Sequence, residues 1–276
     1  MTQDRLQLAI ELARRAGGLL LEGQGTRLRV SKKGATDLVT NYDLKSERML
    51  VAGIRSAYPD DAIMAEEGTG SDSLGGDPGQ APGSDPGQAG AAEHLWLVDP
   101  LDGTTNYAHG VPFYSVSIGL MASGRLIFGV VYDPNRDELF HASEGRGAWL
   151  GDRPLQVSET RVLEDSLLVT GFPYDIRTNP NNNLEHFGDF AVRTRAVRRL
   201  GSAALDLAYV AAGRFEGYWE LRLNPWDWAA GVLLTREAGG MVTTFSGDDK
   251  VLGGDETLLA TNRLVHEQMM ALLGQN

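Results

Sequence analysis

Apolar residues recur at helical spacing along the N-terminal segment of the chain. A stripe with this period buries one face of a helix, so the pattern predicts a helix over residues 2–21 that ends near Gly23 or Gly25. The same spacing returns over residues 43–58, and Pro59 follows because proline cannot continue a helix. The chain therefore begins with two amphipathic helices.

Shorter apolar runs predict strands, and helical spacing returns in the second half. The predicted strands lie at residues 28–30, 62–65, 114–121, 126–132, 138–142, 148–150, 155–157, 166–170, 197–200, 215–220, 241–245 and 257–261, besides the apolar run that starts at Trp96. The later predicted helices cover residues 184–195, 202–212, 226–238 and 263–273. Because mixed elements of this kind pack in layers, we expect one α+β domain, residues 1–276, with subdomains of about 1–158 and 159–276.

Residues 69–93 interrupt this pattern with a segment rich in Gly, Pro, Ser, Ala, Gln and Asp. The tetrapeptide Asp-Pro-Gly-Gln occurs twice there, at residues 77–80 and 85–88. A segment without apolar periodicity has little to bury. We expect a low-complexity surface insertion that contributes no chemistry.

Two predicted strands end in acidic residues. The strand at residues 62–65 precedes Glu66, and the run that starts at Trp96 reaches Asp99 and Asp102. Two carboxylates this close to a buried strand repel each other unless a cation lies between them, and hard divalent ions such as Mg²⁺ prefer oxygen ligands. These strand ends are therefore candidate metal ligands.

Composition narrows the function further. The chain of 276 residues has no Cys, which excludes disulfides, zinc–thiolate sites and thiol nucleophiles, and its formal charge of −12 disfavours a long nucleic-acid surface. No apolar run is long enough to span a bilayer, so we expect a cytoplasmic protein without membrane partners. We interpret the basic cluster as a solvated helix face or a subunit contact; it comprises Arg193, Arg195, Arg198 and Arg199.

The acidic motifs resemble those of the inositol monophosphatase family of Mg²⁺-dependent, lithium-sensitive phosphatases. Residues 99–106, Asp-Pro-Leu-Asp-Gly-Thr-Thr-Asn, look like its first signature, and residues 226–231, Trp-Asp-Trp-Ala-Ala-Gly, resemble the second. Residues 37–43 and 66–68 are similar to two further acidic elements, in the family's order. The resemblance covers nearly the whole chain. It implies a layered α-β-α-β-α sandwich of the inositol monophosphatase and fructose-1,6-bisphosphatase type, and a homodimer.

By this resemblance, Glu66, Asp99 and the backbone carbonyl of Leu101 would hold a first Mg²⁺. A second ion would share Asp99 and add Asp102 and Asp227. Two such ions can clamp the attacking and departing oxygens of a phosphate monoester. The resemblance therefore implies a cofactor of two Mg²⁺ ions.

A third, weaker ion is also implied near Glu66 and Glu67. Asp37 would order the loop over residues 32–36, whose closure could bring Lys32 or a loosely held ion to the site. The implied cofactor thus amounts to two or three ions.

The resemblance also implies the catalytic groups. A metal-activated water near Glu66 would attack the phosphate directly, without a phospho-enzyme, and its proton would pass through Thr104 to Asp43. The backbone amides of Gly103 and Thr104 would hold phosphate oxygens.

The alcohol part of the substrate would meet the second half of the chain. Asp102 and Asp227 would contact the substrate, Ala203 would line it through its backbone, and Glu220 would bind a ring hydroxyl. A solvated charge at a strand end is the alternative for Glu220.

The expected reaction is hydrolysis of a small phosphorylated metabolite, with inositol monophosphate as the leading substrate. Fructose-1,6-bisphosphate, histidinol phosphate and 3′-phosphoadenosine or NADP-type nucleotides remain alternatives. Two alternatives are not enzymes: a non-catalytic regulatory homologue, and an interaction module built on residues 69–93.

Overall fold

Helices and strands alternate along the chain in the computed structural model, which describes residues 2–26, 28–32, 38–68, 93–249 and 256–274. The helices are α1 (Thr2–Gly23), α2 (Asn41–Ala57), α3 (Thr104–Ala108), α4 (Leu184–Ala191), α5 (Ala203–Ala211), α6 (Pro225–Glu237) and α7 (His266–Leu273). The strands are β1 (Val30–Lys32), β2 (Leu38–Thr40), β3 (Ala62–Ala65), β4 (His94–Asp102), β5 (Ser115–Ala122), β6 (Arg125–Asp133), β7 (Glu138–Ser143), β8 (Ala148–Leu150), β9 (Arg153–Pro154), β10 (Leu167–Thr170), β11 (Ala196–Arg198), β12 (Gly217–Leu221), β13 (Met241–Thr243) and β14 (Thr257–Thr261).

Two sheets form the β layers. The first has seven strands in the order β3-β4-β5-β6-β7-β8-β9, and the second has five in the order β11-β10-β12-β14-β13. β1 and β2 form a separate antiparallel pair. The point where the sequence suggests a division into subdomains, near Ser158, lies between β9 and β10.

Helices cover both sheets and fill the space between them. α1 and α2 pack on one face of the first sheet, α5 and α6 lie between the sheets, and α4 and α7 cover the far face of the second. The order is therefore α-β-α-β-α, and the predicted α+β sandwich is confirmed. None of the described helices is long and apolar enough to cross a membrane.

Strand β4 is buried on both faces because helices pack against each of them. Trp96 and Val98 belong to the apolar cluster that includes α1 and α2, whereas Leu95 and Leu97 belong to the cluster that includes α5 and α6. Successive strand residues point to opposite faces, so Asp99 continues the face of Leu95 and Leu97. The strand thus directs the first carboxylate towards α6.

Two glycines allow α6 to approach the first sheet closely. A Cβ at Gly129 would lie 2.6 Å from the Cα of Ala230, and one at Gly119 would lie 3.0 Å from the Cβ of Ala229. A bulkier residue at either position would meet the helix, so backbone contact fixes its height above the sheet. The first turn of α6 is placed by this contact.

Several predicted strand boundaries are wrong, and two of the differences lie at short edge pairings. Residues 155–157 lie beyond the edge strand β9, and their amides bond elsewhere: Leu155 to the carbonyl of Ala148 and Val157 to that of Ala238. The strand predicted at residues 28–30 begins only at Val30. Both segments adjoin short edge pairings, where apolar runs carry little information on register.

The helix predicted over residues 184–195 ends earlier, at Ala191. The Thr194 hydroxyl donates to the carbonyl of Phe190 at 2.8 Å, and the Arg193 guanidinium donates to that of Asp189 at 2.9 Å. Side chains thus add hydrogen bonds to carbonyls of the last helical turn and compete with continuation of the helix.

Candidate active site

Glu66 and Asp99 lie side by side because their strands are parallel neighbours. Ala65 of β3 pairs with Val98 of β4, and the amide of Glu66 donates to the carbonyl of Val98 at 3.2 Å. Each carboxylate follows an apolar run, so both stand at the same edge of the sheet. Asp99 is only 2% exposed.

Asp227 reaches this edge from the first turn of α6. Pro225 occupies the start of the helix, Asn224 is its N-cap, and the Asn224 amide donates to Oδ2 of Asp227 at 2.8 Å. An acidic residue here also complements the helix dipole, so Asp227 supports the helix as well as contributing charge to the cleft.

Asp102 connects the two halves of the chain. One of its oxygens, Oδ2, accepts hydrogen bonds from the Ser202 hydroxyl at 2.5 Å and the Ala204 amide at 2.8 Å, and Oδ1 accepts from the Ala203 amide at 3.2 Å. These donors lie at the start of α5, where unpaired amides attract an anion. The predicted substrate contact Ala203 is therefore adjacent to a predicted metal ligand.

The carboxyl groups of the cleft are buried and repel one another, and both effects raise their pKa values. Burial raises the pKa of Asp99 well above its usual value, and repulsion from Glu66, Asp102 and Asp227 raises it further. Burial also raises the pKa of Asp227, with Glu66 the main charged contributor. For Asp102, burial raises the pKa to about 6 although the hydrogen bonds at α5 oppose it. A cation among these groups would reverse the repulsion.

The donor set fits a hard divalent cation. All the ligands are oxygens, and one carboxylate can accept several bonds, so the single hydrogen bond from the Leu101 amide to Asp99 Oδ1, 3.0 Å, leaves coordinating capacity. Within the described ranges, no three acidic or histidine side chains are already close enough together to hold an ion. Binding would therefore require these side chains to turn towards one point.

Thr104 and Asp43 form a second polar group beside the carboxylates. The Thr104 hydroxyl donates to Oδ1 of Asp43 at 2.8 Å and lies 3.1 Å from the carbonyl of Leu101. Oδ2 of Asp43 accepts from the amide and hydroxyl of Thr40, the N-cap of α2. Asp43 is fully buried, and burial raises its pKa against these hydrogen bonds. The predicted proton-transfer pair is thus in direct contact.

Gly103 turns the chain from β4 into α3. Its φ of +100° lies in the left-handed region that favours glycine, and an added Cβ would lie 3.1 Å from the carbonyl oxygens of Gly201 and Phe113. Asn106 joins the same loops by donating to the carbonyls of Phe113 and Leu200, each at 2.7 Å. The predicted phosphate loop is therefore held rigidly against the start of α5.

Glu220 lies at the far side of the same cleft. Tyr218 and Glu220 are two residues apart in β12 and therefore lie on the same face of the strand. The Tyr218 hydroxyl donates to Oε2 of Glu220 at 2.5 Å. A Cβ at Gly171 would overlap the Glu220 carboxyl group, so glycine there makes room for it. Burial raises the pKa of Glu220 to about 7. Glu220 is half-buried rather than a solvated strand-end charge.

One cleft brings most of the predicted residues together. Its lining includes Glu66, Asp99, Leu101, Asp102, Gly103, Thr104, Ala203, Glu220 and Asp227. Asp43 contacts the lining through Thr104, and the amide of Glu67 is bound by the Glu47 carboxylate at 2.6 Å. Lys32 is the last residue of β1, and its side chain lies outside the described part of the structure. Asp37 and all of the 69–93 insertion except Glu93 also lie outside it.

The sequence reasoning missed several residues that line the cleft, among them the charged residues Asp206 and Arg199. Asp206 is the one charged residue in the apolar helix α5, a signal that was visible in the sequence. Arg199 lines the cleft, and its charge lowers the pKa of Asp206 and Glu220. Our interpretation of the basic cluster did not foresee this position.

Comparisons with known proteins agree along the whole chain. A family model described as the inositol monophosphatase family matches residues 1–276. A Pseudomonas aeruginosa protein named Nus factor SuhB is 46% identical over 256 residues, which cover 91% of this chain and 89% of that protein. An inositol-1-monophosphatase of Synechocystis is 42% identical, over 98% of this chain and 89% of its own length.

A solved structure of an inositol monophosphatase from Anabaena (Nostoc) is similar over 99% of this chain and 96% of its own. Its TM-score is 0.83 at 41% sequence identity. Sequence and three-dimensional structure thus lead to the same group of proteins.

Proposed function

This chain belongs to the inositol monophosphatase family, whose members are phosphatases, and we propose that it hydrolyses a phosphate monoester with Mg²⁺ as cofactor. The leading substrate is inositol monophosphate, with inositol and phosphate as products. The observation that supports this most strongly is the meeting of four carboxylates with the Thr104–Asp43 pair at one cleft. Lithium sensitivity, a homodimer and a cytoplasmic location complete the proposal.

The proposed ligands of the first ion are Glu66, Asp99 and the carbonyl of Leu101, and those of the second are Asp99, Asp102 and Asp227. When bound, Mg²⁺ lowers the pKa of a coordinated water and offsets charge on the phosphate oxygens. The buried, mutually repelling carboxylates support such binding because an ion would relieve their repulsion. Glu67, Lys32 and Asp37 remain a proposed third-ion and loop region.

Thr104 and Asp43 are proposed to accept the proton of the attacking water. A proton received at Thr104 Oγ1 can be matched by transfer of the hydroxyl proton to Asp43 Oδ1, 2.8 Å away. Burial makes Asp43 a stronger base by raising its pKa, and two bonds from Thr40 fix its orientation. The amides of Gly103 and Thr104 would bind the phosphate oxygens, and Ala203 and Glu220 would contact the alcohol.

Substitution of Thr104 tests this assignment. Because a positioned acid–base group contributes about 10²- to 10⁴-fold, Thr104→Ala should lower kcat by about that factor. Thr104→Ser keeps the hydroxyl and should retain most activity. Equal losses in both variants would show that the threonine serves packing rather than proton transfer.

The substrate alternatives are fructose-1,6-bisphosphate, histidinol phosphate and 3′-phosphoadenosine or NADP-type nucleotides. A phosphate-release panel with and without Mg²⁺ separates them. Rapid release from one alternative beside inert inositol 1-phosphate would refute our leading substrate. No release from any compound would refute the phosphatase proposal itself.

A non-catalytic regulatory role is the second candidate, because a relative with 46% identity is named a Nus factor. The complete acidic set in the cleft favours catalysis, since a regulatory surface has no need of buried, repelling carboxylates. The charge of −12 keeps direct nucleic-acid binding disfavoured in our proposal. Turnover in the panel decides between the two roles.

A further inference from the structure

One face of helix α2 carries three fully buried polar side chains. Asp43, Ser46 and Glu47 are three or four residues apart, so they lie on the same side of the first two turns. Leu50 and Ile54 continue this side as an apolar stripe, in the cluster that includes β3 and β4. Since Asp43 supports the cleft, the polar end of this face is the end nearest the proposed active site.

Glu47 binds the turn that carries Glu66. The amide of Glu67 donates to Oε2 of Glu47 at 2.6 Å. The amide of Glu66 itself donates to β4, at the carbonyl of Val98, and the ladder between β3 and β4 reaches no further along the chain. The peptide that follows Glu66 is therefore held by the helix and not by the sheet.

Ser46 binds the segment that carries Asp99. Its hydroxyl donates to the carbonyl of Pro100, the next residue along the chain, at 2.9 Å. The pairing of β4 with β5 is irregular between Asp99 and Asp102, so the regular ladder is interrupted where Ser46 binds. Two adjacent residues of α2 thus hold the backbone of both strand ends that carry proposed ligands of the first ion.

Glu47 is an unusual residue to bury. Its exposed fraction is 0%, and Glu is almost never fully buried in proteins unless it is paired. A hydrogen bond from an amide to an ionised carboxylate is about twice as strong as a neutral one. A carboxylate here therefore fixes the turn more firmly than a neutral side chain would, which offsets part of the penalty of its burial.

We propose that Ser46 and Glu47 are positioning residues that set the affinity of the cleft for Mg²⁺. This inference rests on the metal site of the proposed function. In the described part of the chain the acidic side chains must turn towards one point to bind an ion, so the backbone from which they turn has to stay fixed. Groups that orient metal ligands contribute about 10- to 100-fold in metal affinity.

Calorimetric titration with Mg²⁺ measures this affinity without catalysis. Glu47→Ala removes the acceptor of the Glu67 amide and should raise the dissociation constant for Mg²⁺ by about 10- to 100-fold. Glu47→Gln keeps an acceptor oxygen and should recover most of the lost affinity. Ser46→Ala removes the donor to Pro100 with little change in volume and should raise the constant by about tenfold.

Ile54→Ala is the matched structural control. Ile54 lies on the same face of α2 about two turns beyond Glu47, and it is fully buried in the apolar cluster. The cavity left by this truncation should lower Tm by about 4–20 °C, whereas the dissociation constant for Mg²⁺ should stay unchanged below Tm. Weakening of Mg²⁺ binding by Ile54→Ala as large as that by Glu47→Ala would show a general loosening of α2 and refute the positioning role.

Two further outcomes separate this inference from the proposed function. If the unaltered protein releases phosphate, and Ser46→Ala and every folded Glu47 variant keep its affinity for Mg²⁺, the positioning role is refuted while the phosphatase stands. If the unaltered protein binds Mg²⁺ and the variants bind it more weakly, but no ester is cleaved, the phosphatase is refuted while the positioning role stands. A protein that binds no Mg²⁺ would refute both.

Discussion

Gly129→Ala should destabilise the fold and displace the first turn of α6. The added Cβ would lie 2.6 Å from the Cα of Ala230 and 2.7 Å from its carbonyl oxygen. Ordinary carbon contacts are about 3.5–4.0 Å, so roughly 1 Å of separation is missing. Both atoms belong to the helix backbone and cannot rotate away, so the helix itself must move.

The magnitude follows from this overlap. Overpacking of a core costs about 1–3 kcal/mol, and each kcal/mol lowers Tm by about 2–4 °C in a domain of this size, which predicts a decrease of about 2–12 °C. Asp227 lies on the displaced turn, and a misplacement of about 1 Å can cost roughly a hundredfold in rate. Thermal unfolding followed by circular dichroism and Mg²⁺-dependent phosphate release measure the two effects.

Gly18→Ala is the matched control, with the same chemical change inside α1. Nothing lies within 4 Å of its added Cβ. Alanine in a helix interior is better than glycine by about 0.5–1 kcal/mol, so this variant should melt slightly higher and keep its activity. A Gly129→Ala protein that melts as high as the Gly18→Ala protein would refute the close packing of α6.

The ligand-free protein should lose stability as pH rises from about 4 to about 7. In the folded chain the pKa values of Asp102 and Glu220 are raised to about 6 and about 7. Between about pH 4 and pH 7 these groups therefore keep protons in the folded chain that the unfolded chain has already released, so the folded state loses its advantage as pH rises. Mg²⁺ competes with these protons, so it should raise Tm more at about pH 8 than at about pH 5.5 in scanning fluorimetry; equal shifts would contradict the assignment. Arg5→Met removes the two hydrogen bonds that the Arg5 guanidinium donates to the buried Asp61 carboxylate, at 2.8 and 2.9 Å. The variant should lose about 3–5 kcal/mol in its free energy of unfolding and release phosphate at an unchanged rate well below Tm. Arg14→Met breaks the exposed ion pair with Asp137 and should lower the free energy of unfolding by less than about 1 kcal/mol. If chemical denaturation gave similar losses for Arg5→Met and Arg14→Met, burial would not be the cause of the larger expected effect.

The elements that the sequence predicted best are those with strong local signals. Strand β3 has the bounds predicted from its apolar run, and Ser123 and Gly124 form the expected turn between β5 and β6, both with positive φ. The helix α4 ended early because Arg193 and Thr194 bind its last carbonyls, a choice that apolar spacing does not encode.

The cleft shows a similar division. Asp99 and Asp227 could be singled out as candidates because each stands at the end of a strand or start of a helix with a motif around it. Asp206 stands in mid-helix, where one charge among apolar residues is compatible with a solvated edge. Only the packing of α5 between two sheets buries that charge, and this depends on contacts distant in the sequence.

The central claim is that the carboxylates around Asp99 bind Mg²⁺ for phosphate-ester hydrolysis. The most direct measurement is phosphate release from inositol 1-phosphate against Mg²⁺ concentration, for the unaltered protein and for Asp99→Asn. We expect release that requires Mg²⁺ in the former and almost none in the latter, with the variant melting no lower in metal-free buffer because a buried repulsion is removed. Release that is unchanged by Asp99→Asn or by chelation would contradict the claim.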